Sequence, residues 1–248
     1  MKKFGLIGFP LTHSFSKKYF TDKFEREGKS DCQYELYEIP NIQSFPAILV
    51  KEPTLIGLNV TIPYKEQVIP FLDRLSPACK AIGAVNCIKI SAEELVGFNT
   101  DYFGFKTSLV NWLGPNRPAA LILGTGGASK AVAQALKDLN IPFMKVSRDT
   151  PQGSNNILSY KKLRERPELM KEFPLLINTT PLGTFPKTEE MADIPLESIN
   201  QNHWVYDLVY NPTTTVFMRE AEKRGAKTKN GLEMLHLQAE AAWEIWNE

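Results

Sequence analysis

The chain has 248 residues, which at roughly 150 residues per domain is about 1.7 domains, so one large domain and two modest ones are both open. Hydrophobic residues make up 43% and charged residues 23%, enough apolar material for real cores and too little charge imbalance for a disordered chain. Lys plus Arg number 29 against 28 for Asp plus Glu, a formal net charge of +1; this removes the whole-surface electrostatic case for a nucleic-acid or anionic-membrane partner and leaves only local basic sites.

Short β-like runs alternate with helix-like segments along the chain, which predicts an α/β fold. The first strand covers 3–7. Its apolar run ends at Pro10, too short for a signal-peptide core, and no stretch approaches the length of a membrane span, so a cytoplasmic protein is expected. A loop runs to Phe15, and a helix is expected from about Lys17, with Phe20 and Phe24 at i, i+4 and a stop at Gly28. Strands follow at 34–39, 55–60 and 84–90, the last pairing with 94–98. A helix begins at Pro63 and carries Lys65 in its first turn, where the macrodipole disfavours a cation.

A helix over 101–113 is broken by Gly114-Pro115-Asn116-Arg117-Pro118, which on local composition reads as a domain boundary. The run 119–123 is continuously apolar, as a central parallel strand covered on both faces must be. Gly124-Thr125-Gly126-Gly127 then opens a helix over 128–139. Strands are predicted at 143–146, 175–178 and 204–209. The last helix, 232–246, presents Leu232, Leu235, Ala239, Trp243 and Trp246 as an apolar stripe, with Gln238 on its flank.

Cys32, Cys79 and Cys87 are odd in number and lack C-x-x-C spacing, so neither a disulfide framework nor a zinc cluster is expected. His13, His203 and His236 are far apart and give no metal signature. The strand, glycine turn and helix around Gly124 suit a dinucleotide pyrophosphate, which backbone N–H groups and a helix N-terminus attract. The same glycines also suit a βα turn that only packs tightly. About twenty residues on, where an NAD enzyme places an acidic ribose clamp, the chain has Ser147 and Arg148. A guanidinium there favours the 2′-phosphate of NADP over NAD, and Asp149 next to it opposes that preference.

Eight patches in order carry a family resemblance. They are Gly8-Phe9-Pro10-Leu11-Thr12-His13-Ser14-Phe15-Ser16, Gly57-Leu58-Asn59-Val60-Thr61-Ile62-Pro63-Tyr64-Lys65, Gly83-Ala84-Val85-Asn86, Asn99-Thr100-Asp101, Gly124-Thr125-Gly126-Gly127-Ala128, Asn178-Thr179-Thr180-Pro181-Leu182-Gly183, Asp207-Leu208-Val209-Tyr210-Asn211-Pro212 and Gly231-Leu232-Glu233-Met234-Leu235. Together they resemble the shikimate dehydrogenase family over nearly the whole chain. Lys17 stands where the family usually has Pro, and Cys87 where Thr is more usual.

The resemblance implies NADP-dependent reduction of 3-dehydroshikimate to shikimate in aromatic amino-acid biosynthesis. It implies that Lys65 and Asp101 are the catalytic pair and that Ser14 and Ser16 hold the substrate carboxylate. Asn59, Thr61, Asn86, Tyr210 and Gln238 would meet the rest of the substrate. Gly124, Thr125, Gly126, Gly127, Ala128, Ser147, Arg148, Leu208 and Gly231 would meet the cofactor. Each position also has an ordinary reading: Ser16 as an N-cap, Asp101 as a helix cap, Lys65 as a solvated charge. The implied architecture is two lobes with the active site in the cleft between them. Residues 1–100, completed by 231–248, form a substrate-binding lobe, and 101–230 form a Rossmann-like NADP-binding lobe. The chain then crosses near 99–102 and again near Asn230, not at 114–118. The expected partner is a small molecule, with no nucleic acid, membrane or metal, and the protein is a monomer or homodimer. A broader quinate/shikimate dehydrogenase using NAD or NADP, and a non-catalytic shikimate-binding relative, stay open as alternatives.

Overall fold

A computed structural model describes residues 1–11, 14–149 and 156–248. The chain divides into two compact units, Met1–Thr100 with Gln238–Glu248, and Asp101–Leu237.

The first unit contains β1 (Lys2–Gly8), α1 (Phe15–Arg26), β2 (Cys32–Glu38), α2 (Phe45–Lys51), β3 (Leu55–Val60), β4 (Arg74–Leu75), α3 (Pro77–Ile82), β5 (Cys87–Ile90) and β6 (Leu95–Phe98). Its six-stranded sheet has the order β2-β1-β3-β5-β6-β4. β1 runs parallel to β2 and β3, whereas β5 is antiparallel to β3 and β6 to β5. The hairpin expected around 84–98 is therefore present, but its first strand begins only at Cys87. Gly83, in the left-handed region at φ 70°, ends α3, and Val85 N–H then donates to Lys65 O at 2.7 Å, drawing the backbone out of the ladder.

The helix expected from Lys17 starts two residues earlier. Ser14 is its N-cap in extended backbone, accepting from Lys17 N–H at 3.2 Å, so Ser16 lies inside the first turn and is not the cap. A side-chain oxygen that satisfies an orphan N–H of the first turn sets a helix start. Proline has no N–H and could not make this bond; Lys17 can.

The second unit holds α4 (Thr100–Leu113, beginning one residue before the unit), β7 (Ala120–Leu123), α5 (Gly127–Asp138), β8 (Phe143–Ser147), β9 (Ile157–Ser159), α6 (Tyr160–Glu165), α7 (Leu169–Glu172), β10 (Leu175–Asn178), β11 (Trp204–Asp207), α8 (Val216–Glu222) and β12 (Lys227–Asn230). Its sheet has the order β12-β11-β10-β7-β8-β9, and every pairing is parallel. Counted from β7, this is the doubly wound order 6-5-4-1-2-3, whose direction of winding reverses between β7 and β10. β7 is apolar throughout because it is covered twice. Ala120 and Ile122 pack with Phe105, Leu109, Val132 and Leu136 on one face, and Leu121 and Leu123 with Leu163, Met170 and Phe217 on the other. Alternate side chains point to opposite faces, so a strand covered on both must be hydrophobic at every position.

The last helix, α9 (Leu232–Asn247), begins in the second unit and ends in the first. Its buried face differs from the expected stripe. Leu232 is exposed, whereas Met234, Gln238, Ala239, Ala242 and Trp246 are buried. Trp246 explains the attachment of this segment to the first unit. Its ring packs with Phe4 and Phe20, its indole N–H donates to Ile88 O at 3.0 Å, and Gly57 faces the ring so closely that an added Cβ would lie 2.4 Å from it. Among the described residues no helix is long and apolar enough to cross a membrane, and no group of three His, Cys, Asp or Glu side chains could hold a metal ion.

Candidate active site

In the first unit the relevant side chains gather at the carboxyl ends of β1 and β3. Asn59 and Thr61, two residues apart, point to the same side of β3 and its extension. Gly8 makes room for Thr61: a Cβ there would lie 2.4 Å from Thr61 Cγ2, and Thr61 N–H donates to Ile7 O at 2.9 Å. Ser14 and Ser16 stand half-buried at the start of α1, while Thr12 and His13 of the same patch lie outside the described residues.

A row of buried hydrogen bonds joins the predicted residues. Tyr34 O–H donates to Asn59 Oδ1 at 2.7 Å, and Asn59 Nδ2 donates to Asn86 O at 3.3 Å. Asn86 Oδ1 accepts from Thr100 N–H at 2.6 Å, and its Nδ2 donates to Thr100 Oγ1 at 3.0 Å. The Thr100 hydroxyl lies 3.4 Å from Gln238 Oε1. Burial pushes the Tyr34 phenol well above the ordinary tyrosine value, and the nearby Ser16 hydroxyl pulls it down. Asn59, Asn86 and Gln238 are thus linked, and Gln238 is a buried member of the row instead of a flank residue. Tyr34 and Thr100 were missed by sequence reasoning. Tyr34 reads as one more aromatic of a strand, and only its partners distinguish it.

Lys65 differs from expectation. Residues 62–68 form consecutive turns leading into a short 3-10 helix at Ile69–Phe71, not an α-helix from Pro63. The expected macrodipole therefore does not act on Lys65. The segment is held by its own anchors: Tyr64 O–H donates to Ile39 O at 2.5 Å, and Lys65 O accepts from Val85 N–H. The Lys65 side chain is half-buried. Asp101 is in the first turn of α4, as expected, and follows in the chain directly after Thr100, whose backbone is bound to Asn86.

In the second unit the glycine turn lies beside the reversal point of the sheet. Gly124 has φ 107°, a left-handed conformation, and a Cβ there would meet Thr179 Oγ1 at 2.9 Å. Gly126 caps α5 without a side-chain hydrogen bond. A Cβ at Gly126 or Gly127 would meet nothing within 4 Å, so open space lies directly before the helix start. Backbone N–H groups facing open space at the N-terminus of a twelve-residue helix fit an anion such as a pyrophosphate. Ala128 follows in the first turn. Thr125 Oγ1 and Ser147 Oγ approach to 3.5 Å across the ends of β7 and β8, and Arg148 is exposed just after β8. Its guanidinium acts on Tyr160, whose phenol burial pushes up and Arg148 pulls down.

Leu208 and Tyr210 leave the carboxyl end of β11 through a knot centred on Asp207. This carboxylate is fully buried and accepts from Asn178 Nδ2 at 2.8 Å, Val209 N–H at 3.1 Å and Thr215 O–H at 2.7 Å. Burial pushes its carboxyl above the ordinary aspartate value, against the opposing pull of the three donors. Gly231 closes the same segment: its N–H donates to Val209 O, and an added Cβ would sit 2.0 Å from Leu208 O. The need for glycine there is thus a backbone approach within the protein. Asp207→Ala, which leaves three buried donors without their acceptor, is expected to lower stability by about 1–3 kcal/mol; thermal denaturation of the variant beside the parent measures it, and an unchanged Tm would refute it.

A sequence model described as the shikimate dehydrogenase substrate binding domain matches residues 6–88. The chain is 38% identical to "Shikimate dehydrogenase (NADP(+))" of Clostridium beijerinckii, over 100% of this chain and 93% of that protein. It is 36% identical to the protein of the same name from Methanococcus maripaludis, over 99% of this chain and 91% of that one. Among solved structures, shikimate 5-dehydrogenase from Thermus thermophilus in complex with NADP(H) and shikimate is similar at TM-score 0.84 and 32% identity, covering 99% of this chain and 93% of that chain. Likeness at this level over nearly the full length of each relative, in a chain with a doubly wound second unit and an open glycine turn, places this protein in the shikimate dehydrogenase family.

Proposed function

We propose that this protein is an NADP-dependent oxidoreductase that reduces 3-dehydroshikimate to shikimate, reversibly, in the shikimate pathway. The observation that carries the reading is the row of hydroxyl and amide groups from Tyr34 through Asn59, Asn86 and Thr100 to Gln238, because groups that both donate and accept suit a polyol acid. Residues 1–100 with 231–248 would serve as the substrate-binding part and 101–230 as the NADP-binding part. The protein would act in the cytoplasm as a monomer or homodimer on a small molecule.

The residues fit the cofactor. Gly124, Thr125, Gly126, Gly127 and Ala128 would hold the pyrophosphate, Ser147 and Arg148 the 2′-phosphate, and Leu208 and Gly231 the backbone beside the nicotinamide. When bound, NADPH supplies the hydride that reduces the substrate carbonyl carbon. Ser14 and Ser16 donate hydroxyl protons to the substrate carboxylate at the N-terminus of α1, where the dipole favours an anion. Asn59, Thr61, Asn86, Tyr210 and Gln238 orient the ring through its hydroxyls. Lys65, as an ammonium, polarises the ketone oxygen and gives it the proton that completes the alcohol. Asp101 orients that ammonium and shares the proton load, and in the oxidative direction the pair takes the hydroxyl proton. Product, hydride and proton balance: one C=O becomes one CH–OH.

The test is the absorbance of NADPH formed from NADP and shikimate, run beside quinate and beside NAD. Turnover of shikimate with NADP is expected. Its absence would overturn the reading, and a preference for quinate or NAD would move the protein to the broader quinate/shikimate class.

A further inference from the structure

Tyr34 belongs to no predicted site, yet it stands at the join of two of them. It is 1% exposed at the third position of β2, and its ring stacks on Phe20 at 4.8 Å with an interplanar angle of 11°. Its hydroxyl donates to Asn59 Oδ1 at 2.7 Å, and the Ser16 hydroxyl acts on the same phenol. The backbone of the same residue also holds α1, since Tyr34 O accepts from Lys17 Nζ and Lys17 N–H bonds to Ser14.

Proton counting gives this arrangement a direction. A phenol has one proton, and Asn59 Oδ1 is purely an acceptor, so the Tyr34 proton goes to Asn59. With its oxygen engaged by Tyr34 and one amide hydrogen on Asn86 O, Asn59 keeps its other N–H for a ligand hydroxyl. Without the phenol proton the Asn59 oxygen loses its donor, and only the 3.3 Å bond from Nδ2 to Asn86 O is left to hold the amide.

We propose that Tyr34 is a positioning residue for substrate binding, its hydroxyl fixing the Asn59 amide. The inference rests on the function proposed above and adds to it a residue that touches neither substrate nor cofactor. Phenylalanine keeps the ring and its stacking on Phe20 and removes only the hydroxyl.

The experiment is steady-state oxidation of shikimate by NADP with the full chain, its Tyr34→Phe and Asn59→Ala variants and the double variant. Tyr34→Phe is expected to raise KM for shikimate about tenfold, the scale of one buried hydrogen bond, with kcat and KM for NADP within about twofold. The double variant is expected to match Asn59→Ala alone, since the group that Tyr34 positions is already gone. A KM for shikimate unchanged in Tyr34→Phe overturns the proposal, as does the same fold increase in the Asn59→Ala background. Equal weakening of both substrates, or a kcat loss without a KM change, assigns Tyr34 a general structural role and also overturns it. Absence of shikimate turnover by the parent chain itself overturns the function and this inference together, so the two failures are told apart.

Discussion

Lys65→Ala is expected to lower kcat by roughly 10²- to 10⁴-fold, the contribution of a positioned general acid or base, with KM for shikimate little changed. The reasoning separates side chain from backbone. The turns over 62–68 are held by Tyr64 O–H on Ile39 O and by Lys65 O accepting from Val85 N–H, and both bonds survive truncation at Cβ. The substrate contacts proposed for Asn59, Asn86 and Gln238 are braced by hydrogen bonds with Tyr34, Thr100 and one another. What is lost is a group needed only as the carbonyl oxygen gains charge, and such a loss falls on kcat. Initial rates of NADPH formation, with a melting curve as a check on folding, measure it. Turnover near that of the parent would remove Lys65 from the chemistry.

Arg148→Ala is expected to reduce kcat/KM for NADP by about 10- to 100-fold, the range of a hydrogen bond to a charged group, and to leave kcat/KM for NAD nearly unchanged. Arg148 is exposed directly after β8 and packs in no core cluster, so its replacement acts on the ligand and not on the fold. Asp149 beside it bears a charge of the same sign as a 2′-phosphate, so the preference for NADP falls to the guanidinium. Parallel kinetics with the two cofactors decide the matter; equal losses for both would place Arg148 outside 2′-phosphate recognition.

Where periodicity was long and composition extreme, the sequence was legible. The apolar run of β7 read as a doubly covered strand and is one, the glycine turn sits at the start of α5, and β3 spans the predicted residues. Local signals that compete with tertiary contacts misled. Pro63 suggested a helix start, but the chain beyond it is drawn into turns by Ile39 and Val85, partners distant in sequence. Ser16 read as a cap, and only the structure, with Ser14 in extended backbone accepting from Lys17 N–H, put the cap two residues earlier. The stripe of α9 read Leu232 as buried and Gln238 as flanking, because a hydrophobic pattern cannot foresee that a buried Thr100 hydroxyl will meet the amide.

The sequence by itself determined the α/β alternation, the glycine turn with Arg148 at its distance, and the ordered patches that mark the family, since all of these are written in neighbouring residues. The tertiary structure decided the hydrogen-bonded row from Tyr34 to Gln238, the buried knot at Asp207 and the place of Tyr34. Those depend on groups far apart in the chain, such as Thr100 and Gln238, 138 positions apart, and it is the packing of sheet, α1 and Trp246 that brings such groups within the few ångströms a hydrogen bond allows.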